Sequence, residues 1–137
     1  MNEFNIEIRK IKSSEYQVLR KSANWSSFDL ETVERALEND LFSVCVMDQD
    51  KTIGIGRVIG DGAIYYYIQD VIVLPEYQKR GVGNMIMERI EAYLNQHAST
   101  NTFIGLMAAK GAGDFYKRYS YRERSGDSPG MFRVIKQ

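Results

Sequence analysis

The residues whose types and spacing could do chemistry are concentrated at Gln78-Lys79-Arg80-Gly81-Val82-Gly83. They follow an apolar run that ends Val71-Ile72-Val73-Leu74-Pro75, and Asn84, Met85 and Ile86 come next, where helical periodicity begins. The first N–H groups of a helix have no intrahelical partner and lie at the positive end of its dipole. Such a helix start suits an anion such as pyrophosphate. Gly81 and Gly83 lack a Cβ and would let oxygens come close to the backbone, with Lys79 and Arg80 adding charge at the rim. A glycine-containing turn with a solvated basic pair accounts for the same spacing equally well. The loop is not a Walker A loop, because GxxxxGK[ST] does not occur. No third glycine completes a dinucleotide fingerprint, and Gly54-Ile55-Gly56-Arg57-Val58-Ile59-Gly60 has the wrong spacing inside a strand pattern.

Other chemistries are excluded by counting. Cys45 is the single cysteine, which rules out a disulfide within the chain and a cysteine-based zinc cluster. Cys45 lies in the apolar run Phe42–Met47 without a nearby histidine and reads as core. His97 is the single histidine, so no HExxH metal site exists, and no metal is expected. Lys plus Arg equal Asp plus Glu at 18 each, and this balance argues against a nucleic-acid partner. No apolar run is long enough for a bilayer, and the first residues have no h-region. The expectation is one domain over residues 1–137 in a soluble, reduced, cytoplasmic protein with no membrane partner.

The elements that must position the loop follow from periodicity. Phe4, Ile6 and Ile8 alternate as in a half-buried strand. Ser14-Glu15-Tyr16-Gln17 predicts a capping box with Ser14 as N-cap and Gln17 reaching back, opening a helix to about Ala23. Leu30, Val33 and Leu37 mark a second helix. Phe42–Met47, Thr52–Ile59 and Ala63–Leu74 read as three strands separated by turns. In the last of these, Tyr65 and Tyr67 share one face and Tyr66 takes the other. Val82, Met85, Ile86, Ile90 and Leu94 mark an amphipathic helix from about Gly81 to Gln96. Phe103–Met107 reads as a strand, Phe115–Tyr119 as a short helix and Met131–Ile135 as a closing strand. Hairpins mixed with strand–helix–strand crossovers give an α/β (α+β) class, with a mixed central sheet of about six to seven strands flanked by about four helices.

With the elements in place, Gln78-x-x-Gly81-x-Gly83 after the strand ending Val73-Leu74-Pro75-Glu76-Tyr77 resembles the acetyl-CoA-binding signature of the GNAT superfamily of acyl-CoA N-acyltransferases. Phe115-Tyr116-Lys117-Arg118-Tyr119-Ser120-Tyr121 resembles that superfamily's FYxxxGF landmark. The element order is also similar, so the resemblance covers essentially the whole chain. It implies an acetyl-CoA-dependent N-acetyltransferase that acylates a primary amine of a small molecule by direct transfer, with CoA as product. It further implies that the backbone of Ile72 and Val73 pairs with the pantetheine arm. Gln78 and the amides of Lys79, Arg80, Gly81, Val82, Gly83 and Asn84 would cradle the pyrophosphate. The two strands flanking the cofactor would splay to admit it.

Tyr116 would be the general acid that protonates the departing thiolate. A tyrosine with an unperturbed pKa near ~10 suits this task, because CoA-like thiols lie somewhat lower. The plainer alternative makes Tyr116 an aromatic anchor of its short helix. Departures from the pattern are Ser120 at the FYxxxGF glycine, Lys110 where many members have a pantetheine-binding Asn, and Tyr67 where many carry a Glu base. Asp70 is the nearest carboxylate and would take the ammonium proton directly or through water; otherwise it is a sheet carboxylate paired to Arg57 or a loop amide. Trp25, Phe28, Tyr65 and Tyr67 are the candidate acceptor residues and suit an apolar or aromatic amine. Ser128-Pro129-Gly130-Met131-Phe132 also resembles small members of the arylalkylamine type. Glu31, Glu34 and Glu38 keep a polyamine or aminoglycoside open. The missing Glu and Lys110 equally suit a non-catalytic acyl-CoA sensor or partner-binding module on the same fold. A homodimer is a further possibility.

Overall fold

The computed structural model describes residues 3–135. Two compact units divide the chain, one ending at Leu106 and one beginning at Met107. The first unit holds a five-stranded sheet in the order β1-β2-β3-β4-β5: β1 (Asn5–Ile8), β2 (Phe42–Asp48), β3 (Lys51–Gly60), β4 (Tyr65–Val73) and β5 (Phe103–Gly105). The first four strands run antiparallel to their neighbours, and β5 is parallel to β4. Helices α1 (Ser13–Ser22), α2 (Leu30–Glu38) and α3 (Val82–His97) belong to the same unit.

The mixed α+β class is as expected, but the strand count of six to seven is not reached. Met131–Ile135 forms no ladder and is exposed, with Met131 at 87%. Strand propensity becomes a strand only with a partner strand, and among the described residues none pairs with this stretch. The strand expected over Phe103–Met107 stops at Gly105. The start of α1 also differs. Its N-cap is Lys12, whose backbone N–H donates to Glu15 Oε1 at 2.8 Å. Glu15 does what was expected of Gln17, because it stands three residues after the true cap and is held there by two bonds from Arg9 (2.9 and 2.8 Å).

Helix α3 packs on one face of the sheet through Val82, Ile86 and Ile90, all essentially fully buried. Two glycines of β3 permit this close approach. A Cβ on Gly54 would stand 2.8 Å from Val82 Cγ1, and one on Gly56 would stand 2.6 Å from Ile86 Cγ2. Tyr66, as the alternation predicts, lies on the α3 face against Tyr93, buried to 2% exposure. Helices α1 and α2 cover the other face, where Arg57 of β3 meets Tyr16 and the Ala36 carbonyl.

The decisive irregularity is in β4. Val58 pairs with Ile68 and Arg57 with Gln69, but Ile55 pairs with Ile72, so β4 holds one more residue than β3 between these points. This is a β-bulge, and Asp70 within it takes the left-handed conformation at φ 54°. The extra residue reverses the alternation. Gln69 and Asp70, although consecutive, both lie on the α1–α2 face, where Gln69 Nε2 donates to Asp70 Oδ1 at 3.1 Å.

The second unit contains the short helix α4 (Gly113–Lys117). Ser120 just beyond it has φ 72°, the backbone conformation that the glycine of the landmark would supply without strain. Its N–H donates to the Lys117 carbonyl at 3.0 Å and closes the turn. Among the described residues no helix is long and apolar enough to cross a membrane.

Candidate active site

The first half of the site is the end of β4 and the start of α3. β5 pairs with β4 only from Tyr65 to Tyr67, so beyond Tyr67 β4 runs on unpaired by β5. Ile72 is buried and Val73 half-buried on this stretch. Gln78 Nε2 donates to the Val73 carbonyl at 3.1 Å and ties the loop to the strand end. A 3-10 turn over Pro75–Tyr77 leads into the loop. Lys79 (φ 62°) and Gly81 (φ 84°) are both left-handed, which turns the chain into α3. Gly81 is the N-cap of α3, and no side chain caps the helix. The N–H groups of Val82 and Gly83 at the helix start therefore keep their capacity to hold an anion. A Cβ on Gly81 would meet nothing within 4 Å, so the space above the backbone is open.

Lys79 and Arg80 are both exposed, and Arg80 is drawn to the side. Arg80 pairs with Glu3 and lies over the rings of Phe4 (5.0 Å) and Tyr77 (5.3 Å). Its charge still lies at the rim, held by the N-terminal segment. An open strand edge continuing into a glycine-capped, side-chain-free helix start fits the pantetheine and pyrophosphate of acetyl-CoA.

The second half is a cleft on the α1–α2 face. Asp70 is 4% exposed and accepts from four donors. Tyr16 OH (2.5 Å) and Arg57 Nη1 (3.0 Å) reach Oδ2, while Gln69 Nε2 (3.1 Å) and Arg20 Nη1 (3.5 Å) reach Oδ1. A carboxylate has about four acceptor directions, so these donors fill it. Arg57 continues the network through Nε to Asp40 Oδ1 at 2.8 Å, and Ser43 Oγ donates to Asp40 Oδ2 at 2.7 Å. Burial works against the Arg57 charge, but the bonds to Asp40 and Asp70 outweigh it and raise its pKa further. Burial and the neighbouring Asp70 push the Tyr16 phenol up, so it stays a donor. Removing one partner of such a buried pair costs about 3–5 kcal/mol, because the other charge is left uncompensated.

Two adjoining cavities open here. One of about 550 Å³ is lined by Gln17, Arg20, Lys21, Trp25, Ser27 and Phe28. The other, about 240 Å³, reaches Tyr16, Arg57, Gln69 and Asp70 and shares Arg20 and Phe28 with the first. The structure thus brings Trp25, Phe28 and Asp70 into one cleft. It does not bring in Tyr65 and Tyr67, which line neither cavity; Tyr65 packs near Phe103 with ring centres 6.0 Å apart. Glu31, Glu34 and Glu38 are exposed on α2 and also line neither. The pairing of Asp70 with Arg57 is the sheet-carboxylate arrangement weighed from sequence. Tyr16, Arg20, Asp40 and Gln69 were not anticipated as site residues. A signal existed for one member of the network: Arg57 is the single charge in the apolar run Ile53–Ile59, and a charge buried mid-strand requires partners.

In the second unit, the Tyr116 ring stands edge-on to Phe115 with centres 5.0 Å apart, and burial pushes its phenol above the ordinary tyrosine value. The phenol is therefore protonated at neutral pH, as a proton donor must be.

A mixed sheet whose fourth and fifth strands pair only over Tyr65–Tyr67, with a glycine-capped helix after the fourth, is an arrangement shared with acetyltransferase structures. Residues 11–134 match the family model of the acetyltransferase (GNAT) domain, and the chain belongs to that family. The chain is similar to a crystal structure of SA2161 from meticillin-resistant Staphylococcus aureus, described as a probable acetyltransferase of unknown function. Identity is 32%, TM-score 0.90, and coverage 96% of this chain and 99% of that one. A GNAT family protein, SP0256 of Streptococcus pneumoniae, is 26% identical with a TM-score of 0.80, covering 98% and 99%. Among curated relatives, the uncharacterized N-acetyltransferase ycf52 of Pyropia yezoensis is 27% identical over 90% of this chain and 72% of its own length. The ycf52-like protein of Prochlorococcus marinus is 33% identical over 61% of this chain, and the match spans 49% of that protein.

Proposed function

We propose that the chain is an acetyl-CoA-dependent N-acetyltransferase that transfers an acetyl group to the primary amine of a small molecule by direct transfer in a ternary complex. The observation that carries this is the open edge of β4 beyond Tyr67, leading to the glycine-capped start of α3. When bound, acetyl-CoA supplies a thioester carbonyl activated toward amines. The backbone of Ile72 and Val73 holds the arm as an added strand would. The N–H groups from Lys79 to Asn84 hold the pyrophosphate, and the left-handed Gly81 keeps the approach clear. Trp25 and Phe28 give the acceptor an apolar wall. Tyr116 Oη returns the proton to the leaving thiolate. Asp70, with its acceptor directions filled, orients Arg57, Tyr16 and Arg20, and the ammonium proton leaves through water in the cleft. The proposed setting is cytoplasmic.

Titration calorimetry with acetyl-CoA tests the cofactor half, and thiol release across a panel of amines tests the transfer. Absence of binding at millimolar acetyl-CoA would overturn the reading. One observation favours the acyl-CoA sensor instead: the cleft carboxylate Asp70 is already engaged by two arginines and a tyrosine. Turnover above the buffer rate with any amine removes that alternative.

A further inference from the structure

The acceptor cleft carries more positive charge than the transfer chemistry requires. The larger cavity presents Arg20 and Lys21 and no acidic residue. The smaller one presents Arg20 and Arg57, which share Asp70 as ion partner (3.5 and 3.0 Å), and Asp40 also pairs with Arg57, so the unmatched charge of the cleft is Lys21. Lys21 is exposed in the last turn of α1, and its ammonium has no ion partner among the described residues.

Arg20 is held firmly yet incompletely. The Ser26 carbonyl accepts from Nε (3.0 Å) and Nη2 (2.7 Å), while Nη1 makes only long contacts to Tyr16 (3.4 Å) and Asp70 (3.5 Å). A guanidinium has five N–H groups, so at least one remains for a ligand. Its plane lies among the rings of Tyr16 (5.6 Å), Trp25 (5.5 Å) and Phe28 (5.2 Å), which fixes its direction before anything binds. The carboxylates that would welcome a polycation, Glu31, Glu34 and Glu38, face elsewhere. A second ammonium in this cleft would meet two cations, whereas an oxyanion would meet a fixed guanidinium and a free ammonium.

We propose that the acceptor is an amine that also carries a carboxylate or phosphate, bound by Arg20 and Lys21, with the body of the molecule against Trp25 and Phe28. This rests on the transferase reading of the same cleft, and it makes the substrate class an amino acid, an amino sugar phosphate or a compound of equivalent chemistry. Charge-assisted bonds from a pre-oriented guanidinium set the orientation, and Lys21 adds attraction at the mouth.

The test uses two matched pairs, phenethylamine with phenylalanine and glucosamine with glucosamine 6-phosphate. Binding is measured by calorimetry in the presence of CoA, and thiol release from acetyl-CoA is followed in parallel. In at least one pair the member that carries the carboxylate or phosphate binds about tenfold tighter than the amine without it, a difference of ~1.4 kcal/mol. The pair that shows the preference identifies the anion as carboxylate or phosphate. Lys21→Glu abolishes the preference and Lys21→Gln reduces it. Arg89→Glu makes the same charge change at an exposed position of α3, on the other face of the sheet, and retains the preference. Equal or tighter binding of the member without the carboxylate or phosphate in both pairs would overturn the proposal, as would a preference that survives Lys21→Glu in a folded variant. Preferential binding of the anion without thiol release from any amine would remove the transferase reading and leave the anion site standing.

Discussion

Replacing Gly81 tests the cofactor cradle most directly. The residue is left-handed at φ 84°, and a Cβ placed on it meets no atom within 4 Å. Gly81→Ala therefore causes no clash in the free protein, and its cost to folding is conformational, about 1 kcal/mol for an alanine held in this region. If phosphate oxygens come against this backbone, the new Cβ occupies their space and affinity for acetyl-CoA falls at least about tenfold, or ~1.4 kcal/mol. Gly81→Asn separates the two effects, because asparagine tolerates the left-handed region better but still carries a Cβ. Chemical denaturation should show Asn recovering part of the stability lost with Ala. Calorimetry with acetyl-CoA should show both variants weakened alike. Wild-type affinity in both would mean that no phosphate approaches here and that Gly81 serves only the turn. Affinity that recovers with Asn would mean that strain was the cause, not crowding.

Tyr116→Phe keeps the ring but removes the proton, so kcat should fall by about 10²-fold or more with little change in KM. Tyr119→Phe and Tyr121→Phe should lose much less, and wild-type kcat in Tyr116→Phe would assign the proton to another group. Glu15 gives a stability prediction. Burial pushes its carboxyl up, but donors from Arg9, Thr52 and the Lys12 N–H prevail and hold it at about 2, against 4.5 when unperturbed. The stabilisation is thus fully present above pH 4.5 and is lost as pH falls toward 2. Glu15→Gln should cost about 2 kcal/mol at neutral pH and flatten the acid limb of a denaturation series; an unchanged limb would contradict the assignment. Burial pushes the Cys45 thiol up to about 12. The native protein should therefore resist a thiol-reactive disulfide reagent at pH 8 and react fully once unfolded, and rapid labelling of the folded chain would refute that placement.

The loop from Gln78 to Asn84 was legible as a glycine-containing helix start because it depends on local rules. Two glycines after a strand, followed by helical periodicity at Val82, Met85 and Ile86, specify an uncapped helix start whatever packs around it. The cleft on the α1–α2 face depends on pairings between distant residues. Tyr16 reaches Asp70 across 54 positions and Arg57 reaches Asp40 across 17, and no local pattern announces either. The bulge was equally hidden, since Asp70 occupies a left-handed position that glycine usually marks. The closing strand was misjudged for a related reason: Met131–Ile135 has strand composition but no edge to join.

The extra residue in β4 makes that strand two reading frames joined end to end. Up to Gln69, odd-numbered positions look toward α1 and α2; from Asp70 onward, even-numbered ones do. A substitution scheme that treats positions 65–73 as one alternating series would therefore place polar residues against α3 over half of its length. Deleting Val71 would bring the halves back into phase: Ile72 would keep the α1–α2 face, and Asp70 would turn to the other. The charge network would lose Asp70, and keep only its Arg57–Asp40 part, without any of its members being replaced. In this fold the identity of the cleft is stored as a count of residues as much as in their chemistry.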